Sequence, residues 1–292
     1  MKADLHLHTY YSDGTESPAE IVARAAALGF DVVAVTDHDT VGGVCEALEA
    51  GKKLGVQIVP GVEITVQFRR RELHLLAYFS AGNTEGMGWC HPDLARRLEH
   101  HAWHRQKRAE RMVERLNALG VSLTMKEVYR QTSRTFPRIP TQKFHGVGGT
   151  LGRPHIAAAL FAAGHVTSLD QAFRKYLKKG CPAWVAKEYV EAREVIALIH
   201  QVGGIVALAH PGLLGDENIP AYLCEEGIDG VEVYHSRHSC AQSARFRDWT
   251  WRNGLLITGG SDCHGMLREE PLMGCVQLQG EELDIFLKRL NR

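Results

Sequence analysis

Asp4-Leu5-His6-Leu7-His8 near the start of the chain and Ser261-Asp262-Cys263-His264 near its end place imidazoles and carboxylates at the ends of short apolar runs. Asp13, His38, Glu63, His74 and His210 stand at comparable points between them. Imidazole nitrogen and carboxylate oxygen are the ligands that divalent transition ions take. His6 and His8 are two residues apart, so on a strand both face one side and can reach one ion. Glu63 and Asp262 can bridge ions or complete their shells. Such a set would hold two or three ions with a bridging hydroxide as nucleophile. Paired ions about 3.5–4 Å apart stabilise both the entering and the leaving oxygen of a displacement at phosphorus. No G-x-S-x-G segment is present, so a serine nucleophile of that kind is not expected. Singly, each residue has an ordinary reading: His210 before Pro211 as a loop cap, Glu63 as an arginine partner, Asp262-Cys263-His264 as a turn. Their shared position at strand ends favours the metal centre.

The elements that must position these groups follow from patterning. Ala3, Leu5 and Leu7 alternate with Asp4, His6 and His8, which predicts a strand with one polar face. Ser17-Pro18-Ala19-Glu20 is a capping box that opens a helix ended by Gly29. Strands are expected at 32–36, at 57–64 across Pro60-Gly61, and at 73–79. The rhythm returns after residue 190, with helices at 192–201, 221–226 and 241–251 leading to strands at 205–209, 230–234 and 255–258. Strands alternating with helices predict a parallel sheet. Seven strands with polar C-terminal ends favour a closed barrel with its site at that face; a doubly wound open sheet is the alternative. Residues 83–190 break the rhythm, with helices expected near 94–119, 124–131, 154–163 and 169–178 and a Gly-, Pro- and Arg-rich loop at 132–151. The expected organisation is a barrel of residues 1–82 and 191–292 with a helical cap of residues 83–190.

Composition narrows the function. The formal net charge is zero, which argues against general adhesion to nucleic acid or membrane. The charge is uneven: residues 83–190 hold 18 Lys and Arg against 8 Asp and Glu, and the rest holds 16 against 26. An acidic body for cations beside a basic segment suits an anionic substrate, although some of those charges simply solvate helices. No apolar stretch approaches the roughly 20 residues of a membrane span, and the chain starts without a signal-peptide pattern. The seven cysteines are scattered, with no C-x-x-C pair, as in reduced cytoplasmic proteins. No stable protein partner is implied.

Asp4-Leu5-His6-Leu7-His8-Thr9 with Ser12-Asp13-Gly14, Thr36-Asp37-His38-Asp39, Pro60-Gly61-Val62-Glu63, His74, Ala209-His210-Pro211-Gly212 and Gly260-Ser261-Asp262-Cys263-His264 together resemble the motif series of the polymerase and histidinol phosphatase (PHP) family. The resemblance covers residues 1–80 and 190–292. It implies an α/β fold, a distorted (β/α)7 barrel with a helical insertion capping a trinuclear site. It also implies that His6, His8, Glu63 and Asp262 hold one ion, that Glu63 shares a second with His74 and His210, and that Asp13, His38 and His264 hold the third. Many members have His at the position of Asp13, which makes this third site more anionic. Mn²⁺ is the first choice of metal, with Fe²⁺ and Zn²⁺ as alternatives.

The insertion, with Gly152-Arg153-Pro154-His155, looks like the stand-alone branch that removes the 3′-phosphate of nucleoside 3′,5′-bisphosphates, with relatives that trim short RNAs. A small phosphorylated nucleotide is therefore the expected substrate, and short RNA a further one. Arg134, Arg138, Lys143, Arg153 and His155 are candidates for substrate contact. Arg153 stands out because it opens a helix, where the dipole favours anions. His235 ends a strand and is a candidate both for touching the scissile phosphate and for donating to the leaving oxygen; Arg153 and His235 are the catalytic candidates. Three rival readings stand beside this one: histidinol-phosphate phosphatase, an amidohydrolase acting on a C–N or ester bond, and a non-enzymatic metal-binding accessory module.

Overall fold

The computed structural model describes residues 1–82, 88–135, 150–265 and 272–292, with backbone alone for 131–135. The chain runs β1 (Lys2–Leu7), α1 (Pro18–Ala27), β2 (Val32–Val35), α2 (Val44–Leu54), β3 (Gln57–Phe68), β4 (Arg71–Tyr78), α3 (Pro92–Ala118), α4 (Met125–Thr135), α5 (Arg153–Ala162) and α6 (Leu169–Ala172). It continues α7 (Ala192–Gln201), β5 (Ile205–Leu208), α8 (Ile219–Glu225), β6 (Gly230–His235), α9 (Cys240–Arg252), β7 (Leu256–Gly260), β8 (Leu278–Gln279) and α10 (Glu281–Leu290). The strands form one sheet in the order β7-β6-β5-β4-β3-β2-β1-β8. Beyond β7 the chain returns to β1: Asp262 N donates to His6 O and His8 N to Cys263 O, each at 3.0 Å. The sheet is thereby curled into a nearly closed barrel, the α/β barrel expected from the sequence.

Two features depart from the expected all-parallel sheet. β4 is antiparallel to both β3 and β5. The register pairs Phe68 with Arg71, so only Arg69 and Arg70 make the turn, at φ 48° and 63°. A two-residue turn with both residues left-handed can join only antiparallel strands, because a parallel return needs a crossover. The second departure is β8, which pairs antiparallel with β1 and leads into α10. α10 buries Leu283, Phe286, Leu287 and Leu290 against the barrel, where Phe286 meets Tyr78 edge to face. Helix bounds differ more modestly. α4 runs to Thr135, past its expected end at 131, and the helix expected over 169–178 is α6 followed by a π-helical turn at Phe173–Leu177; residues 136–149 of the expected loop lie outside the described residues.

Local sequence accounts for the elements. Ser17 caps α1 with the reciprocal Glu20 bond, and Pro18 occupies the first turn, as the capping box predicts. α3 spans 27 residues, about 40 Å at 1.5 Å per residue. Its first half places Leu94 and Leu98 in the barrel's apolar cluster, while Met112, Val113 and Leu116 join a separate cluster with Val128, Ile156, Leu160 and Leu177. The one helix thus belongs to both apolar clusters. Between its halves, Arg105 donates to Asp39 and Thr65 at the barrel mouth. Burial alone would raise the Asp39 carboxyl; Arg105 and His101 overcome that and hold it well below the usual range. A buried charge so paired is costly to break, because the remaining partner is left uncompensated.

Candidate metal centre

The site is assembled from strand ends and the loops after them. β1 brings His6 and His8, both fully buried. Their Nε2 atoms stand 3.1 Å apart. Glu63, within β3, is the hub: Oε1 lies 2.7 Å from His74 Nδ1 and 3.1 Å from His210 Nε2. Its Oε2 lies 2.9 Å from His38 Nδ1, 3.2 Å from His8 Nε2 and 3.4 Å from His6 Nε2. Asp262 follows β7, with Oδ1 3.2 Å from His8 Nε2 and Oδ2 3.5 Å from His235 Nε2. On the other side of His8, Asp13 Oδ1 lies 3.3 Å from His264 Nε2 and 3.9 Å from His38 Nε2.

These contacts sort into three overlapping groups whose ligand atoms lie within 4.8 Å of one another: His6, His8 and Glu63; His38, Glu63 and His74; and His8, Asp13, His38 and His264. The groups differ from the expected partition: Asp262 and His210 stand outside all three, and His8 joins two of them. His38 stands between Glu63 and Asp13, and so adjoins two groups rather than one.

The backbone is bent to permit this convergence. His210 and Asp262 adopt left-handed φ of 31° and 55°, conformations that cost a non-glycine residue stability and are found where a site demands them. A Cβ on Gly14 would lie 2.3 Å from His8 O, so only glycine lets the loop carrying Asp13 close on β1. Asp37 anchors the same loop by accepting from Thr9 N at 2.7 Å and Ser12 Oγ at 2.6 Å.

The chemistry of the donor set fits cations. Burial would raise the Glu63 carboxyl, but His38, His74 and His6 hold it well below its ordinary range; Asp13 and Asp262 are held down in the same way by His264 first. Burial instead pushes His38 down to about 4, leaving a neutral ring with one nitrogen lone pair. His38 Nδ1 and Glu63 Oε2 are both fully buried and have no hydrogen-bond partner, although they stand 2.9 Å apart. With the His38 proton on Nε2, two acceptors would face each other there, an arrangement that a cation between or beside them relieves.

Several groups behind the ligands escape sequence reasoning. Glu232, fully buried in β6, accepts from His6 Nδ1 at 2.9 Å and from His210 N at 2.6 Å. It fixes the His6 proton on Nδ1 and turns Nε2 to the site. Glu72 lies 3.6 Å from His74 Nε2 and accepts from Lys187 Nζ at 2.6 Å and Tyr189 Oη at 2.9 Å. The only trace of Glu232 in the sequence is an acidic residue between Val231 and Val233 in an apolar run.

The remaining candidates fall as follows. His235 Nδ1 accepts from Arg237 N at 3.1 Å, so its proton sits on Nε2, facing Asp262. Arg153 opens α5 and lines a cleft of ≈ 500 Å³ together with Arg70, Arg71, Arg108, Lys179 and Glu72. His155 is buried, with Nδ1 accepting from Gly152 N at 2.9 Å, and its ring also faces the loop of Ser12 and Asp13. Arg134 lies in the last turn of α4, where its side chain is outside the described residues, and Arg138 and Lys143 are outside them altogether.

Comparison with known proteins decides the family. The PHP domain pattern matches residues 4–213. The chain belongs to the PHP domain family. Across 284 residues it is 31% identical to phosphoribosyl 1,2-cyclic phosphate 1,2-diphosphodiesterase of Eggerthella lenta, covering 94% of this chain and 98% of that one. It is 30% identical to the 3′,5′-nucleoside bisphosphate phosphatase of Chromobacterium violaceum, over 89% of this chain and 86% of that one. Among solved structures, a protein of Bifidobacterium adolescentis described as a metal-dependent phosphoesterase superposes with a TM-score of 0.83 at 32% identity, covering 98% and 96%. This PHP protein is a hydrolase of phosphate esters, and its clustered His, Asp and Glu side chains suit divalent metal ions. No helix among the described residues is long and apolar enough to cross a membrane.

Proposed function

We propose that the chain removes the 3′-phosphate of nucleoside 3′,5′-bisphosphates, using two or three divalent ions, Mn²⁺ first among them. His6, His8, Glu63 and Asp262 would hold one ion, Glu63 with His74 and His210 a second, and Asp13, His38 and His264 a third. Bound there, the ions supply Lewis-acid charge stabilisation on the phosphate oxygens and lower the pKa of water. The chain's own groups do the rest. Glu232 and Glu72 orient His6 and His74. His235, protonated on Nε2, donates to a phosphate oxygen or to the leaving alkoxide. Residues 83–190 form the cap over a barrel of residues 1–82 and 191–292. With all seven cysteines free, the cytoplasm is the compartment that suits it.

The observation that carries the substrate is the basic cleft. Five cationic side chains, Arg70, Arg71, Arg108, Arg153 and Lys179, line it against one carboxylate, Glu72, and Glu72 adjoins His74 of the metal centre. A phosphate that reacts at the metals leaves the cleft open to a second anion on the same molecule. Arginine grips such an anion with two hydrogen bonds. The substrate names of both curated relatives specify two phosphates in one small molecule. A five-membered cyclic phosphodiester on a phosphorylated ribose is therefore the second reading, favoured by the likeness to the Eggerthella lenta enzyme over 94% of the chain.

Phosphate release from a nucleoside 3′,5′-bisphosphate, the matching 3′-monophosphate and histidinol phosphate, with chromatography of the products from a phosphorylated ribose cyclic phosphate and short RNAs, tests this. The bisphosphate should be turned over best. Arg153→Ala should lower its kcat/KM by roughly 10- to 100-fold, the worth of a charged hydrogen bond, and leave the 3′-monophosphate nearly unchanged. Equal losses on both substrates would remove Arg153 from the second anion site. Preference for the cyclic diester would favour the second reading.

A further inference from the structure

A second convergence of imidazoles lies on α3, among residues that the hydrolytic site does not use. His100 and His104 are four apart and so share a helix face. Their Nε2 atoms stand 3.0 Å apart, with ring centroids at 4.2 Å and planes inclined at 65°. Two imidazoles bound to one ion at about 2.0–2.1 Å, with an angle between right and tetrahedral, hold their nitrogens roughly 2.9–3.4 Å apart. The pair already has that spacing.

The third member is Glu188, whose Oε2 lies 2.7 Å from His104 Nδ1. A carboxylate at Nδ1 keeps the ring proton there and turns Nε2 outward as a lone pair, the arrangement that supports a metal-binding histidine. Without an ion, His100 Nε2 must fill the gap by donating to His104. Burial, His104 and Arg97 together lower the affinity of His100 for a second proton.

We propose that His100 and His104 form a second metal site, separate from the hydrolytic centre, with Glu188 orienting His104. Two imidazoles without a carboxylate ligand favour Zn²⁺, Ni²⁺ or Cu²⁺ over Mn²⁺, both by ligand type and by the general order of affinities. Water completes the coordination. The site sits at a structural junction. Arg105, next to His104, ties α3 to Asp39 and Thr65. Lys187 and Tyr189, on either side of Glu188, both bond Glu72, which adjoins His74. An ion held here links the cap helix to the segment that returns from the cap to the barrel.

The full, untagged chain with its hydrolytic centre loaded with Mn²⁺, passed over immobilised Ni²⁺, tests this. The hydrolytic centre is already filled, and its histidines are buried or nearly so, His74 being the most exposed at 19%, so a resin-bound ion reaches them poorly. The native chain should be retained. His100→Gln and His104→Gln should elute at an imidazole concentration at least about tenfold lower, with Glu188→Gln between them and the native chain. Free Ni²⁺ should also raise the thermal midpoint of the native chain more than that of His104→Gln. Unaltered phosphate release by the variants would show that they are folded. Retention of His104→Gln equal to the native chain, or failure of the native chain to bind, overturns the proposal.

Discussion

Replacing Glu63 with Gln is expected to lower phosphate-ester hydrolysis by at least about 10³-fold, several kcal/mol of lost charge stabilisation, while the chain stays folded. Five imidazoles, those of His6, His8, His38, His74 and His210, lie within 3.4 Å of this one carboxylate. The amide keeps the shape but offers no anionic oxygen to two ions at once. Its NH₂ group would also point a donor at lone pairs that need a cation. The metal-free chain should also lose some stability, because the imidazoles that hold the Glu63 carboxyl well below its ordinary range lose the charge that compensates them. Metal content measured beside the rate distinguishes the causes. Fewer bound ions per chain together with a lost rate fits the account, whereas a full complement of ions and an unaltered rate would deny Glu63 its central role.

Gly260→Ala should act through the frame rather than the ligands. A Cβ there would stand 2.3 Å from His6 Cβ and 2.4 Å from His6 N, closer than real side chains approach. The end of β7 must then part from β1, at the place where Asp262 N donates to His6 O and His8 N to Cys263 O. Overpacking of this kind costs about 1–3 kcal/mol or more, which lowers the thermal midpoint by several degrees in a chain of this size. The same separation moves Asp262 away from His8. A displacement of about 1 Å in a catalytic set costs on the order of a hundredfold in rate. A melting curve and a rate assay on the same preparation should both fall. An unaltered midpoint with full activity would mean that the two strands are not in contact at Gly260.

How far the sequence discloses this molecule depends on what each residue signals locally. The convergence of His6, His8, Glu63 and Asp262 was legible because polar side chains end several apolar runs at once, although each alone has an ordinary reading. The α1 capping box was legible because it is a contact between near neighbours. The direction of β4 was not, because its turn uses Arg69 and Arg70 in left-handed conformations where Asn or Gly would have announced a hairpin. Nor was Glu232, whose role depends on β5 and β1 bringing His210 and His6 to the two oxygens of one carboxylate on β6. Pairings across 226 residues leave no local pattern. The basic character of the insertion was plain, but its placement required the structure. Arg153 shares its cleft with Arg70 and Arg71 from the β3–β4 turn, which composition does not associate with the cap.

The most direct measurement is phosphate release by the native chain after complete chelation and stepwise return of Mn²⁺, with bound metal counted at each step. The account expects no turnover of a nucleoside 3′,5′-bisphosphate by the stripped chain. It expects a rate that climbs as the His6, His8, Glu63 and Asp262 set and its neighbours fill, to two or three ions per chain. Full turnover by a verified metal-free chain would contradict it.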